Sequence, residues 1–141
     1  MKIIIYLFLF TPGLFNAQEL NSALNLHNLI RGYYSLKPLG INDNLTLIAE
    51  ERADIIAEKD SIVFSENEYG ESVFYTSYLT LSRDYFLEAT LAWTFEDFDQ
   101  SSFKQITCKE CREVGFGVAM NDDKIYVVAV YDKIFSNSKT K

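Results

Sequence analysis

Between Asn42 and Lys59 the apolar residues Leu45, Ile48, Ala49, Ala53, Ile56 and Ala57 recur every three or four positions. Glu50, Glu51, Asp54 and Glu58 occupy the opposite side. A helix with one apolar face must bury it against another layer. The chain supplies that layer later, where Val114 to Met120 and Lys124 to Tyr131 form apolar, β-branched runs joined by Asn121-Asp122-Asp123, residues suited to a hairpin turn. Helices first and antiparallel strands last give an α+β domain from layer packing alone.

The remaining elements follow from the same periodicities. Asn42 is a suitable cap for the helix after it. Upstream, Asn21 to Tyr34 carries Leu24, Leu26, Leu29, Ile30 and Tyr33 at helical spacing, which predicts a first helix with these residues inward, ended by Lys37-Pro38-Leu39-Gly40. Glu71 to Tyr78 reads as a short strand with Val73, Tyr75 and Ser77 on one face. Ser82 to Phe98 predicts a third helix burying Phe86, Ala89, Ala92 or Trp93, and Phe95 or Phe98. Phe103 to Thr107 reads as a strand, the first of a three-stranded meander that ends at Tyr131. Residues 136–141 read as a flexible polar tail. At 141 residues and 48% hydrophobic composition, the chain has the size of one domain that buries its own core.

Residues 1–17 read as a secretion signal. Lys2 gives the positive charge, Ile3 to Phe10 the apolar stretch, Pro12 and Gly13 the break, and Ala17 the small residue before cleavage. A membrane span needs roughly 20 apolar residues, and Thr11-Pro12-Gly13 interrupts this one far sooner, so no integral membrane segment is expected in the mature chain. Asn44-Leu45-Thr46 is an acceptor pattern for glycosylation if the chain enters a eukaryotic secretory route. The formal net charge of −7 becomes more acidic once Lys2 is removed. That balance argues against nucleic acid and against simple attraction to anionic lipid, since both require a basic face.

Cys108 and Cys111 form a C-x-x-C. One such pair is half a zinc site, and neither a second pair nor a spare histidine completes it. If Lys109-Glu110 is the turn of a hairpin, the two cysteines face each other and form a local disulfide. If the strand ran straight through, residues three apart would point to opposite faces. The even cysteine count of a secreted chain favours the disulfide over free thiols.

Four segments carry a family resemblance: Leu24-Asn25-Leu26-His27-Asn28-Leu29-Ile30-Arg31, Tyr69-Gly70-Glu71-Ser72, Ser102-Phe103-Lys104-Gln105-Ile106-Thr107, and Glu113 to Ala119 leading into Tyr126 to Tyr131. In this order they resemble the CAP superfamily of cysteine-rich secretory proteins, antigen 5 and pathogenesis-related 1 proteins, over Leu20 to Tyr131 within a domain of residues 18–135. The resemblance implies a three-layer α-β-α sandwich with a central antiparallel sheet. It also implies a cleft where two histidines and two glutamates can bind a divalent metal. The glutamates fall on Glu71 and Glu96, and the histidines on Ser102 and near Asp60. Carboxylates without imidazole suit hard cations rather than zinc. Asp60, Glu71 and Glu96 therefore form a degenerate site with at most weak divalent-cation coordination and no dedicated cofactor.

No catalytic residues are assigned. His27 is the only histidine, and the resemblance gives its motif a structural role. Between Trp93 and Ser102 the loop that the family associates with sterol binding is short, and Phe95, Phe98 and Phe103 are accounted for by core packing. The expected function is therefore that of a secreted, extracellular, non-catalytic protein whose partner is another extracellular protein. The alternative is binding of a lipid or sterol.

Overall fold

The computed structural model describes residues 13–77, 84–95 and 101–135. Most of the expected signal segment, Glu96, Phe98 and the tail 136–141 lie outside them. The elements run α1 (Gly13–Tyr33), β1 (Gly40–Ile41), α2 (Asp43–Lys59), β2 (Gly70–Ser77), α3 (Tyr85–Phe95), α4 (Ser101–Ile106), β3 (Glu113–Met120) and β4 (Lys124–Tyr131). The sheet has the order β1-β3-β4-β2, antiparallel except for the two-residue β1, which pairs parallel with β3.

Helix α2 covers one sheet face, while α1, α3 and α4 build the layer on the other, which gives the three-layer α-β-α arrangement. Strand β4 shows why the sheet is central. Its Ile125, Val127, Ala129 and Tyr131 enter the core beneath α1 and α3, and its Tyr126, Val128 and Val130 enter the core beneath α2. Strand β3 alternates likewise, with Val114 and Phe116 on the α1 side. Its Gly115 and Gly117 face α2, where a Cβ on Gly115 would lie 2.1 Å from Thr46 N and one on Gly117 2.3 Å from Ala49 C. These glycines let the α2 backbone rest directly on the strand, and Ala49 and Ala53 keep the helix side equally thin.

The caps of α2 set where it starts and stops. Asn42 accepts a hydrogen bond from Leu45 N at 3.1 Å. Asp60 ends the helix in the left-handed conformation at φ 47°, which aspartate tolerates better than most residues.

Two sequence expectations change. Residues Phe103 to Thr107 belong to helix α4 and the turn after it, so β4 pairs with β3 and β2 and no three-stranded meander forms. Phe95 is 78% exposed at the end of α3, whose core face is Phe86, Ala89, Thr90 and Trp93.

Candidate functional site

Helix α1 meets its sequence pattern only in part: Leu24 and Ile30 pack half-buried against the core, but other residues form its innermost face. The residues it buries are Ala23, His27 and Arg31, four apart on one face, while Leu29 is 72% and Tyr33 83% exposed. Two polar side chains face inward because distant segments satisfy them. The His27 Nδ1–H donates to Ala23 O at 2.9 Å, so its Nε2 accepts from the Tyr131 hydroxyl at 2.8 Å. The ring also packs edge-on against Phe116. Burial lowers the imidazole pKa to about 4, and the nearby Arg31 charge adds to the effect against the Ala23 bond. With both nitrogens engaged and no solvent access, His27 is poorly placed to act as a base on a substrate.

Arg31 completes the inner face. Its Nε donates to Lys37 O at 2.8 Å, its Nη1 to Ile106 O and Cys108 O, both at 2.8 Å, and its Nη2 to Cys111 O at 3.1 Å. One guanidinium thus ties α1 to the exit of α4 and the start of β3. The Cys108 and Cys111 sulfurs are bonded there, with Cα atoms 5.4 Å apart. This disulfide closes a helix-to-strand turn, whereas the sequence reading placed it across a β-hairpin.

Leu29 and Tyr33 of α1 are left outside, where with their neighbours they form a groove. Leu26, Leu29, Ile30, Tyr33 and Tyr34 make one wall, Thr94 and Phe95 at the end of α3 another, and Phe103 of α4 the third. The groove is open, holds about 500 Å³ and has no charged side chain among the described residues of its lining. The Tyr34 ring meets Phe103 edge-on at 5.9 Å, bracing one end. Sequence periodicity places Leu26, Leu29, Ile30 and Tyr33 inward; Ile30 does pack against the core, whereas Leu29 and Tyr33 are exposed.

On the opposite sheet face, the expected carboxylates separate into different environments. Glu71 of β2 receives the Arg52 guanidinium of α2, Nε to Oε2 and Nη2 to Oε1 both at 3.0 Å, and the Ser65 hydroxyl at 2.9 Å. Arg52 Nη2 also donates to Val63 O, so the segment between α2 and β2 is held against the pair. Asp60 is bound instead by Tyr126, Lys124 and Asn121, with the tyrosine bond foremost in lowering its pKa to about 2. Tyr126 and Val130, which stands opposite Glu71, are four residues apart on β4, roughly 13 Å along a strand. The side chain that the connecting segment brings to Glu71 is Ser65, not Asp60. Ser102 lies in the first turn of α4, and Glu96 falls outside the described residues. Among the described residues no group of three His, Cys, Asp or Glu side chains converges as a metal site. Arg52 and Ser65 were missed because a helix-face arginine and a loop serine carry no motif of their own.

Comparison with known proteins gives a consistent picture. The model of the cysteine-rich secretory protein family, CAP, matches residues 24–131. No curated protein matches the chain. Among solved structures, MpPR-1i superposes with a TM-score of 0.67 at 20% identity, covering 93% of this chain and 96% of that one. A hookworm platelet inhibitor gives 0.63 at 24% identity, covering 82% of this chain and 69% of its own. NaASP2, solved with Zn2+, gives 0.62 at 17% identity, covering 79% and 77%.

Proposed function

The chain belongs to the cysteine-rich secretory protein (CAP) family, and from that premise we propose that it is a secreted, non-catalytic binding domain whose ligand is a small apolar molecule seated in the groove between α1, α3 and α4. The observation that carries this reading is the outward apolar face of α1. The fold buries His27 and Arg31 and leaves Leu29 and Tyr33 exposed, so that with the half-buried Leu26 and Ile30 they line a groove that is uncharged among the described residues. Its volume lies in the range of small-ligand sites, which are mostly apolar with few polar groups. Here the polar groups are the Thr94 hydroxyl and the phenols of Tyr33 and Tyr34.

Absence of catalysis is supported by the sequestration of His27 and by the dispersal of Asp60 and Glu71 into separate ion pairs. Secretion is supported by the N-terminal apolar segment and by the Cys108–Cys111 bond, which persists in oxidising compartments. No helix among the described residues is long and apolar enough to cross a membrane.

Titration of the full chain with a fluorescent polyene fatty acid tests the groove. Saturable binding weakened about tenfold or more, about 1.4 kcal/mol, by Leu29→Asp and by Phe103→Asp is the expected result. Binding indifferent to both substitutions would place the ligand elsewhere and refute the reading. A second reading, recognition of an extracellular protein, is favoured by one observation. Ile62, Val63 and Phe64 are three consecutive exposed apolar residues in a segment that Arg52 holds in place.

A further inference from the structure

We infer that Arg52 stands where a divalent cation would meet Glu71, so that this domain carries its counter-charge as a side chain and does not load metal at that carboxylate. The inference concerns the sheet face opposite the groove and is independent of the groove's ligand.

Three features of the arrangement carry it. First, both Glu71 oxygens are occupied. The guanidinium approaches bidentately with two contacts of 3.0 Å, and the Ser65 hydroxyl donates to Oε2 at 2.9 Å. Second, the pair is sheltered, with side-chain exposure of 13% for Arg52 and 6% for Glu71. A metal ion entering here would have to displace the guanidinium and leave it beside a like charge in a poorly solvated place, which is strongly unfavourable. Third, the neighbouring donors do not suit a metal that must compete with arginine. Among the described residues they are a serine hydroxyl and the Val63 carbonyl, with no imidazole or thiolate, and the Asp60 carboxylate is engaged by Tyr126 and Lys124 at the far end of α2.

The same guanidinium also orders the chain. By donating to Val63 O while it grips Glu71, Arg52 fastens the segment between α2 and β2 to the sheet edge. A bridging metal could perform that task, and in this protein an always-charged side chain does so. The placement of Ile62, Val63 and Phe64 on the surface therefore depends on Arg52 and is insensitive to chelators.

The experiment uses the full chain, with zinc and calcium ions alone as probes, and reads thermal unfolding and isothermal titration for the wild type, Glu71→Gln and Arg52→Gln. A cation at 100 times its Kd raises Tm by roughly 10 °C. The expected wild-type result is no shift with either ion or with EDTA and no binding heat. Arg52→Gln, which keeps a neutral donor without the charge, should lower Tm and acquire a cation-dependent rise. A wild-type Tm that rises with zinc or calcium, and no longer does so in Glu71→Gln, would overturn the inference. So would a folded Arg52→Gln protein as indifferent to both ions as the wild type, since something other than Arg52 would then exclude the cation. If Arg52→Gln does not fold, the wild-type and Glu71→Gln titrations decide the matter.

Discussion

Lowering the pH should destabilise the domain through His27, and the size of the effect follows from its burial. The imidazole is held near pKa 4 in the folded chain against 6.5 for a free side chain. Between these values the unfolded chain binds a proton that the folded chain refuses, so stability rises with pH across the window and falls as pH drops through it. Each pKa unit corresponds to 1.36 kcal/mol, so the full difference of 2.5 units amounts to about 3 kcal/mol. Most of it is expressed between pH 7 and pH 4.5, a large share of a typical stability of about 5–15 kcal/mol. The chain has no other histidine to titrate in this window. Urea unfolding at pH 7, 6, 5 and 4.5, for the wild type and for His27→Gln, isolates the effect. The variant should be less stable at pH 7, because it disturbs the bonds to Ala23 and Tyr131, yet its midpoint should change far less with pH. Parallel pH profiles for the two proteins would show that His27 is not excluded from protonation, and the reasoning from burial would fail.

Gly117→Ala should destabilise by about 3 kcal/mol, because its Cβ would lie 2.3 Å from the Ala49 backbone, which cannot swing aside as a side chain would. An unchanged urea midpoint would contradict the close seating of α2. Replacing both Cys108 and Cys111 by serine should cost about 2 kcal/mol, the loop-closure value for so short a ring, read as a lower Tm under non-reducing conditions. Tyr126→Phe should raise the Asp60 carboxyl from about 2 towards ordinary aspartate values, as the tyrosine bond is the leading cause of its depression. Carbon-detected NMR titration of Asp60 reads this directly, and an unmoved midpoint would assign the depression to Lys124 and Asn121 instead.

The sequence was most legible where local pattern and tertiary demand coincide. Helix α2 shows its inner face, its Asn42 cap and its end because all three are written within its own residues. Strands β3 and β4 are equally plain, since apolar alternation and the Asn121-Asp122-Asp123 turn belong to one hairpin. Helix α1 is the opposite case. Its periodicity pointed Leu29 and Tyr33 inward, but the buried face is decided by partners at Ile106, Cys108, Cys111 and Tyr131, more than 70 positions away. Helix α4 was misread for a related reason. Its six residues are too few to show a helical period, and Phe103, Ile106 and Thr107 mimic the composition of a strand. The candidate cleft was half legible. Glu71 stands out in its motif, whereas Arg52 looks like any residue on a charged helix until β2 is placed beside it.

The exposure of Leu29 and Tyr33 on α1 and the groove beside them follow from a single packing choice. A helix has a limited circumference, and burying His27 and Arg31 turns Leu29 and Tyr33 outward while Leu24 and Ile30 stay at the edge of the core. The exchange is sustainable only if the polar side chains are fully satisfied inside, since an unpaired buried donor costs about 1–3 kcal/mol and a charged one more. Arg31 meets that condition by giving its N–H groups to four carbonyls, three of them at the turn that the Cys108–Cys111 bond closes. That turn fixes α4, and α4 carries Phe103 into the groove wall. Arg31 and the disulfide thus hold together the elements that wall the groove while lying outside its lining, so the groove depends on the same contacts that fix the α1 side of the core.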